Sequence, residues 1–241
     1  MKIKLAHGSG GIETHKLIDK LVRNIVKKPN IKNGVGLREM DDGATIPAHD
    51  VHIVVTTDSY TVNPIFFPGG NIGSLAATGT LNDLAVMGAE PLAVLDSIVV
   101  EEGFPLDDLR TIVNSFIRVL EEEDVSLIGG DFKVMPKGSL DKIIITATGI
   151  GVAKQILLDS NVKVGDKIIV SGTIGEHGAA IMAAQLGIDA DSEGLVSDHK
   201  PLTKLMQEVL KVGGIHAAKD PTRGGLAMAL NEFARKSKKM I

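Results

Sequence analysis

Aspartate and glycine gather in six short runs that divide this chain of 241 residues into aliphatic segments: His7–Gly11, Asp41–Thr45, Thr56–Ser59, Asn82–Ala85, Gly129–Val134 and Asp220–Leu226. Glycine lets backbone N–H groups approach phosphate oxygens, and hard carboxylate oxygens suit a cation that also bridges phosphates. Neither G-x-x-x-x-G-K-[ST] nor G-x-G-x-x-G occurs in the chain, which disfavours the P-loop and dinucleotide-binding architectures.

Between these runs the periodicity alternates between helix and strand. Residues 12–28 place Ile12, Leu17, Ile18, Leu21, Val22, Ile25 and Val26 on one helical face, and Pro29 ends it. Leu37–Ile46 and Val51–Ser59 read as extended segments, the first broken at Asp42-Gly43. Asn71–Gly88 and Leu106–Leu120 read as helices, and Leu92–Val100, Val125–Met135 and Asp141–Val152 as strands. This order predicts an α+β fold in which helices cover one face of a mixed sheet, leaving the other face for a second subunit. A second unit starts near Val162, with a strand at Lys167–Ser171 and helices after Gly175, near Lys200 and near Gly224. The expected division is 1–155 and 156–241, the second part having few strands for its helices.

Composition narrows the chemistry. Aromatic residues make up only 3% of the chain, so the core is aliphatic, and the net charge of −4 argues against nucleic acid as a partner. The absence of cysteine excludes disulfides, thiolate metal sites and a cysteine nucleophile within these residues, and points to magnesium before zinc. Met1–Gly11 lacks the apolar run of a signal peptide and no stretch reaches membrane-spanning length, so a soluble cytoplasmic protein is expected.

Each polar run has a structural reading beside a functional one. Asp42-Gly43 suits a hairpin turn, and equally a carboxylate aimed at a cation while Gly43 makes the bend. Asp58 ends an aliphatic strand among Thr56, Thr57 and Ser59, as a ligand-facing carboxylate or a turn cap. Asp83 and Asn82 are poor helix formers inside a helix, which a solvated face or a metal site would explain. Asp131 and Lys133 alternate onto one strand face, as a surface ion pair or as a magnesium ligand and a phosphate contact. Asp220 through Gly225 opens a helix; an N-cap accounts for part of it, and Arg223 with two glycines adds an anion-binding geometry. His7–Gly11 is a mobile glycine lid over phosphate or an ordinary loose terminus. Ser171–Gly178 is mainly a structural turn, with His177 an uncertain extra.

In this order the runs HGSGG, DDGA, TTDSY, FFPGGNIGSLAATGTLNDLAVMGAEPL, GDFKV, SGTIGEHG and DPTRGGLA resemble the hydrogenase maturation factor HypE family. Its superfamily includes aminoimidazole ribonucleotide synthetase and selenophosphate synthetase. The resemblance spans essentially the whole chain. It implies an aminoimidazole ribonucleotide synthetase-like two-domain fold, a homodimer paired through the N-terminal sheet, and ATP bound near the interface. It further implies magnesium at Asp42, Asp58, Asp83 and Asp220. ATP contacts would come from Gly8, Gly10, Gly11, Thr57, Asp58, Asn82, Asp131, Arg223 and Gly224, with catalytic roles for Asp83 and Lys133. The implied reaction dehydrates an S-carboxamide on the family's C-terminal cysteine to a thiocyanate, whose cyanide goes to nickel–iron hydrogenase. The implied partners are a carbamoyl-transferring maturation protein and iron–cyanide scaffold proteins. Alternatives are a selenophosphate synthetase-like enzyme, disfavoured by a glycine loop without cysteine, and a non-catalytic nucleotide-binding scaffold. This chain departs from the pattern in reading Phe132 where the family usually has threonine, and in having no cysteine-bearing tail. The expectation is therefore an incomplete second domain that binds nucleotide without carrying the substrate on itself.

Overall fold

In the computed structural model, which describes residues 2–189 and 194–241, helix α1 (Ile12–Ile18) follows the glycine loop and continues as a π turn over Asp19–Arg23. It stops short of the sequence expectation. Its apolar stripe finds no surface to cover, with Leu21 and Ile25 both exposed, and packing is what sustains an isolated helix. The extended reading of Leu37–Ile46 is corrected too. Glu39 accepts from Asn30 and the Gly36 N–H and folds that stretch into turns, so β1 begins only at Ala44 (Ala44–Ala48).

The chain then forms β2 (Val51–Tyr60), the short ribbon β3 (Phe66–Phe67) and β4 (Gly70–Asn71), and helix α2 (Ile72–Val86). Next come β5 (Glu90–Glu101), α3 (Leu106–Glu122), β6 (Ser126–Met135) and β7 (Ile143–Ala153). The main sheet has the order β1-β2-β7-β5-β6; only β5 and β6 run parallel. Helix α3 is the crossover connection that a parallel pair requires. The expected mixed sheet covered by helices is what forms.

Burial follows the pleat. On β7, Ile143, Ile145, Ala147 and Ala153 face the helices and are buried, while the residues between them are half-buried on the outer face. Helix α2 is buried nearly all round, because the sheet lies beneath it while α3 and the second unit flank it. Its Asn71 cap accepts from the Gly73 and Ser74 N–H groups, fixing where the helix begins.

The second unit contributes α4 (Glu176–Gln185), α5 (Thr203–Val212) and α6 (Gly225–Ser237). Lys167–Ser171 is not a strand. No neighbouring strand pairs with it among the described residues, and Ile168, Ile169 and Val170 stay exposed. No helix among the described residues is long and apolar enough to cross a membrane.

Candidate functional site

Four carboxylates meet on the helix-covered side of the sheet. Asp42 sits in the turn entering β1, where Gly43 packs under Met87 and Val54. On β2, Thr56 and Asp58 share a face with buried Val54 and Tyr60, so both point toward α2. Asp83 projects from α2 to meet them: Thr56 Oγ1 lies 2.8 Å from Asp83 Oδ2 and 3.0 Å from the Asp42 carbonyl. Burial pushes the Asp83 carboxyl well above the usual range, and the negative charges of Asp42, Asp220 and Asp58 push it further. Burial likewise raises Asp42 and Asp220 to about 6, and raises Asp58 against the pull of Arg223. Carboxylates held so are short of positive charge.

The second unit closes this cleft. Asp220 lies beside Asn82, and Arg223 approaches Asp58. Gly10 of the N-terminal loop packs on Arg223, where an added Cβ would stand 2.7 Å from the Arg223 Cβ. The glycine loop and the DPTRGG loop are thus neighbours, although 213 positions separate Gly10 from Arg223. Gly11 caps α1 and Gly224 caps α6 in a left-handed conformation, while Gly8 lies in open space.

Asn82 joins the two units. Its amide donates to the Lys200 carbonyl and accepts from the Leu202 N–H, at 3.2 and 2.8 Å. Both ends hold the second unit, and the amide also hydrogen-bonds the Asp220 carboxyl at the cleft. The same segment is anchored at the start of α2, where His199 Nε2 meets Ser74 Oγ at 2.9 Å. Ser197 Oγ joins His199 Nδ1 and His177 Nδ1, and Phe67 packs edge-on against both rings. Gly70 makes room, since a Cβ there would lie 2.4 Å from His199 Cε1. His177 belongs to this docking network.

Three expected site residues lie on the opposite face. Thr57 pairs with Thr148 at 2.9 Å between their hydroxyls, in the outer layer of β2 and β7. Asp131 aligns with Ser97, which aligns with Thr146 and through it with Ser59, on that same outer face. Lys133 lies two residues on and pairs with Asp131, whose carboxyl it holds below the usual range by hydrogen bonding. Within one chain the sheet separates Thr57, Asp131 and Lys133 from Asp83. Alternation predicts that Asp131 and Lys133 share a face; it does not say which face is the core.

The donor set suits magnesium in kind: hard oxygens, in excess of nearby cations. Among the described residues no three His, Asp or Glu side chains form a ready metal cage. Magnesium does not require one, because it usually takes one or two carboxylates together with phosphate oxygens and water. Sequence reasoning missed the lysines that brace these acids. Lys219 contacts Asp42, Asp159 and Glu232, and Lys236 contacts Asp41 and Asp159. The one available signal was Lys219 standing directly before Asp220.

Comparison with known proteins follows this geometry. Residues 40–153 match the AIR synthase related protein N-terminal domain and residues 163–241 its C-terminal domain. A putative hydrogenase expression/formation protein of Methanocaldococcus jannaschii is 49% identical over 98% of this chain and 71% of its own length. Carbamoyl dehydratase HypE of Bradyrhizobium diazoefficiens is 40% identical over 98% of this chain and 67% of its own. Among solved structures, a HypE–HypF complex aligns with TM-score 0.83 at 40% identity, covering 92% of this chain and 70% of that one. HypE in complex with ATP aligns with TM-score 0.75 at 38% identity, covering 98% and 69%.

Proposed function

Because the chain belongs to the HypE family of hydrogenase maturation proteins, built from the two AIR synthase related domains, we propose that its cleft binds ATP with magnesium and serves an ATP-dependent carboxamide dehydration. The observation that carries this reading is the set Asp42, Asp58, Asp83 and Asp220, each raised by burial, with Asp83 raised further by the other three, beside the Arg223 that approaches Asp58 and packs on Gly10. The ATP-bound structure of a HypE relative supports nucleotide binding here.

In the proposed reaction the oxygen of an S-carboxamide attacks the γ-phosphorus of ATP and ADP leaves. A base then removes one N–H proton to give the O-phosphoryl imidate, and the second N–H proton is lost as the C–O bond breaks and phosphate departs to leave a thiocyanate. The oxygen lost from the carboxamide ends in phosphate, so atoms balance without a redox partner. Magnesium, when bound, would screen the phosphate charge that these steps redistribute. Asp83, Asp58 and Asp42 would hold it, Arg223 would contact a phosphate oxygen, and the glycine loop would close over the nucleotide. The chain has no cysteine, so the thiol bearing the carboxamide lies outside these 241 residues. The complex of HypE with HypF supports a carbamoyl-transferring partner, and iron–cyanide scaffold proteins would receive the product.

Thr57, Asp131 and Lys133 enter this reading through a second copy. A homodimer joined by the outer sheet face would carry them toward the partner's cleft, with Lys133 as a phosphate contact. The division at residue 155 belongs to the same proposal: residues 1–155 carry three of the four carboxylates and residues 156–241 supply Asp220 and Arg223. The test incubates the chain with magnesium-ATP and a peptide bearing an S-carbamoyl cysteine, following the peptide mass. Loss of one water with matching ADP release supports the reaction. Tight nucleotide binding without turnover, whether or not the peptide is present, would leave a scaffold instead.

A further inference from the structure

Lys219 makes three contacts, to Asp42 at 3.0 Å and to Asp159 and Glu232 at 3.1 Å each, from a side chain only 9% exposed. Asp42 and Asp159 accept hydrogen bonds from the ammonium and Glu232 pairs with it, so its charge is directed at these three carboxylates. The surrounding cluster is unbalanced. Asp41, Asp42, Asp159 and Glu232 face two ammoniums, and Asp159, at 2% exposure, is shared between Lys219 and Lys236. Asp41 is committed to Lys236, which also binds the Met40 carbonyl at 2.6 Å. Of the two adjacent acids, only Asp42 is therefore available to the cleft, and Lys219 already occupies it.

We propose that Lys219 is the resident counter-ion of the cleft: it holds Asp42 until a divalent cation arrives, then swings off Asp42 while keeping Asp159 and Glu232. This rests on the cleft being a magnesium-nucleotide site. The geometry allows the exchange because two of the three partners are not among the cleft acids and belong to other elements, Asp159 on the turn Asp159–Asn161 and Glu232 on α6, each 3.1 Å from the ammonium. The displaced cation keeps most of its pairing, and Asp42 is never buried without a positive partner. Unpaired buried carboxylates are costly, so such a hand-over protects the fold before loading. Lys219 thereby sets cation affinity without touching substrate; it is a positioning residue.

The proposal predicts opposite signs for two variants. Lys219→Met removes the competitor and should tighten binding of Mn²⁺, measured by electron paramagnetic resonance with a non-hydrolysable ATP analogue, by about tenfold. Asp159→Asn weakens the alternative anchorage and should loosen Mn²⁺ binding by at least about threefold, since Lys219 then gives up Asp42 less readily. Thermal unfolding with and without Mn²⁺ supplies a second readout, with a larger metal-induced rise for Lys219→Met than for the unmodified chain. Glu232→Gln repeats the Asp159→Asn test should that variant not fold. Shifts of the same sign in both variants, or unchanged affinity in both, would overturn the counter-ion role while leaving the cleft reading intact. Absence of Mn²⁺-nucleotide binding by the unmodified chain would remove the cleft reading and this proposal together.

Discussion

Asp83 is a carboxyl whose ionised form the fold alone disfavours. It is buried, raised by that burial and by three acidic neighbours, and meets Thr56 as its hydroxyl partner. Asp83→Asn keeps the shape and removes the charge, so it should leave thermal stability unchanged or higher while weakening magnesium-nucleotide affinity more than about tenfold. Calorimetric titration would check this, and an unchanged affinity would take Asp83 out of the site. Proton linkage gives a second expectation. Asp42 and Asp220 ionise near 6 in the folded chain against 3.8 for an unperturbed aspartate. Between those values the folded state holds more protons than the unfolded one, so these groups lose stability as pH rises and the loss levels off above 6. Each costs about 2–3 kcal/mol at neutral pH. A divalent cation favours the ionised forms and expels those protons. Apparent cation affinity should therefore climb from pH 5 to about 6.5 and then level, with proton release visible as a buffer-dependent calorimetric enthalpy at the low end. An affinity independent of pH over that range would mean that neither acid senses the cation.

Helix α2 and the segment that lies along it decide how the two units meet. Ser74 at one end receives His199, and Asn82, two turns on, grips Lys200 and Leu202. The glycines of the ribbon before the helix serve this docking: Gly69, with φ near +89°, and Gly70 let the backbone of Val196–Ser197 and the ring of His199 approach. Gly70→Ala should push His199 out, destabilise the chain by about 1–3 kcal/mol, and open Val196–Leu202 to proteolysis. A variant as resistant as the parent would show that the ring relocates without cost. This contact also marks what the sequence could reveal. From Val51 to Ala153 the helices and strands of the first unit were legible because their apolar periods are strong and their turns carry glycine. Residues 12–28 and 37–46 were legible only in part, their apolar residues finding no surface at Leu21 and Ile25 and no partner strand before Ala44. The inward turn of Asp83 toward Thr56 left a trace in the sequence, because aspartate and asparagine sit poorly in a helix interior. The absence of a strand at Lys167–Ser171 was not legible, since a strand forms only with neighbours to pair with. The Lys219 cluster was hidden because its partners, Asp42, Asp159 and Glu232, are far apart in the chain and each reads as an ordinary surface acid.

At the scale of the molecule, the sheet has one covered face and one open. The open face mixes half-buried aliphatics with a hydroxyl ladder, in which Ser59 meets Thr146 at 2.8 Å and Thr57 meets Thr148. Its edge strand β6 is exposed along its whole length, Ile128 and Phe132 included. A long exposed edge next to a large apolar face invites pairing with another chain. Asp131 and Lys133 lie on that open face, where they have no route to their own Asp83. A second copy laid against it would cover the aliphatics and present Lys133 to the other chain's cleft, so assembly and activity should fail together. Ser97 stands mid-row between Thr146 and Asp131 and is suited to the test. Ser97→Glu places a second carboxylate beside Asp131 at the centre of the proposed interface, where its desolvation costs several kcal/mol, about enough to dissociate a micromolar dimer. Sedimentation should find the parent chain dimeric and the variant monomeric with unchanged circular dichroism. Nucleotide turnover should fall by more than about tenfold in the monomer, because Lys133 would then reach no cleft at all. A monomeric parent, or a monomeric variant of full activity, would place every working group of the site on the helix side of a single chain.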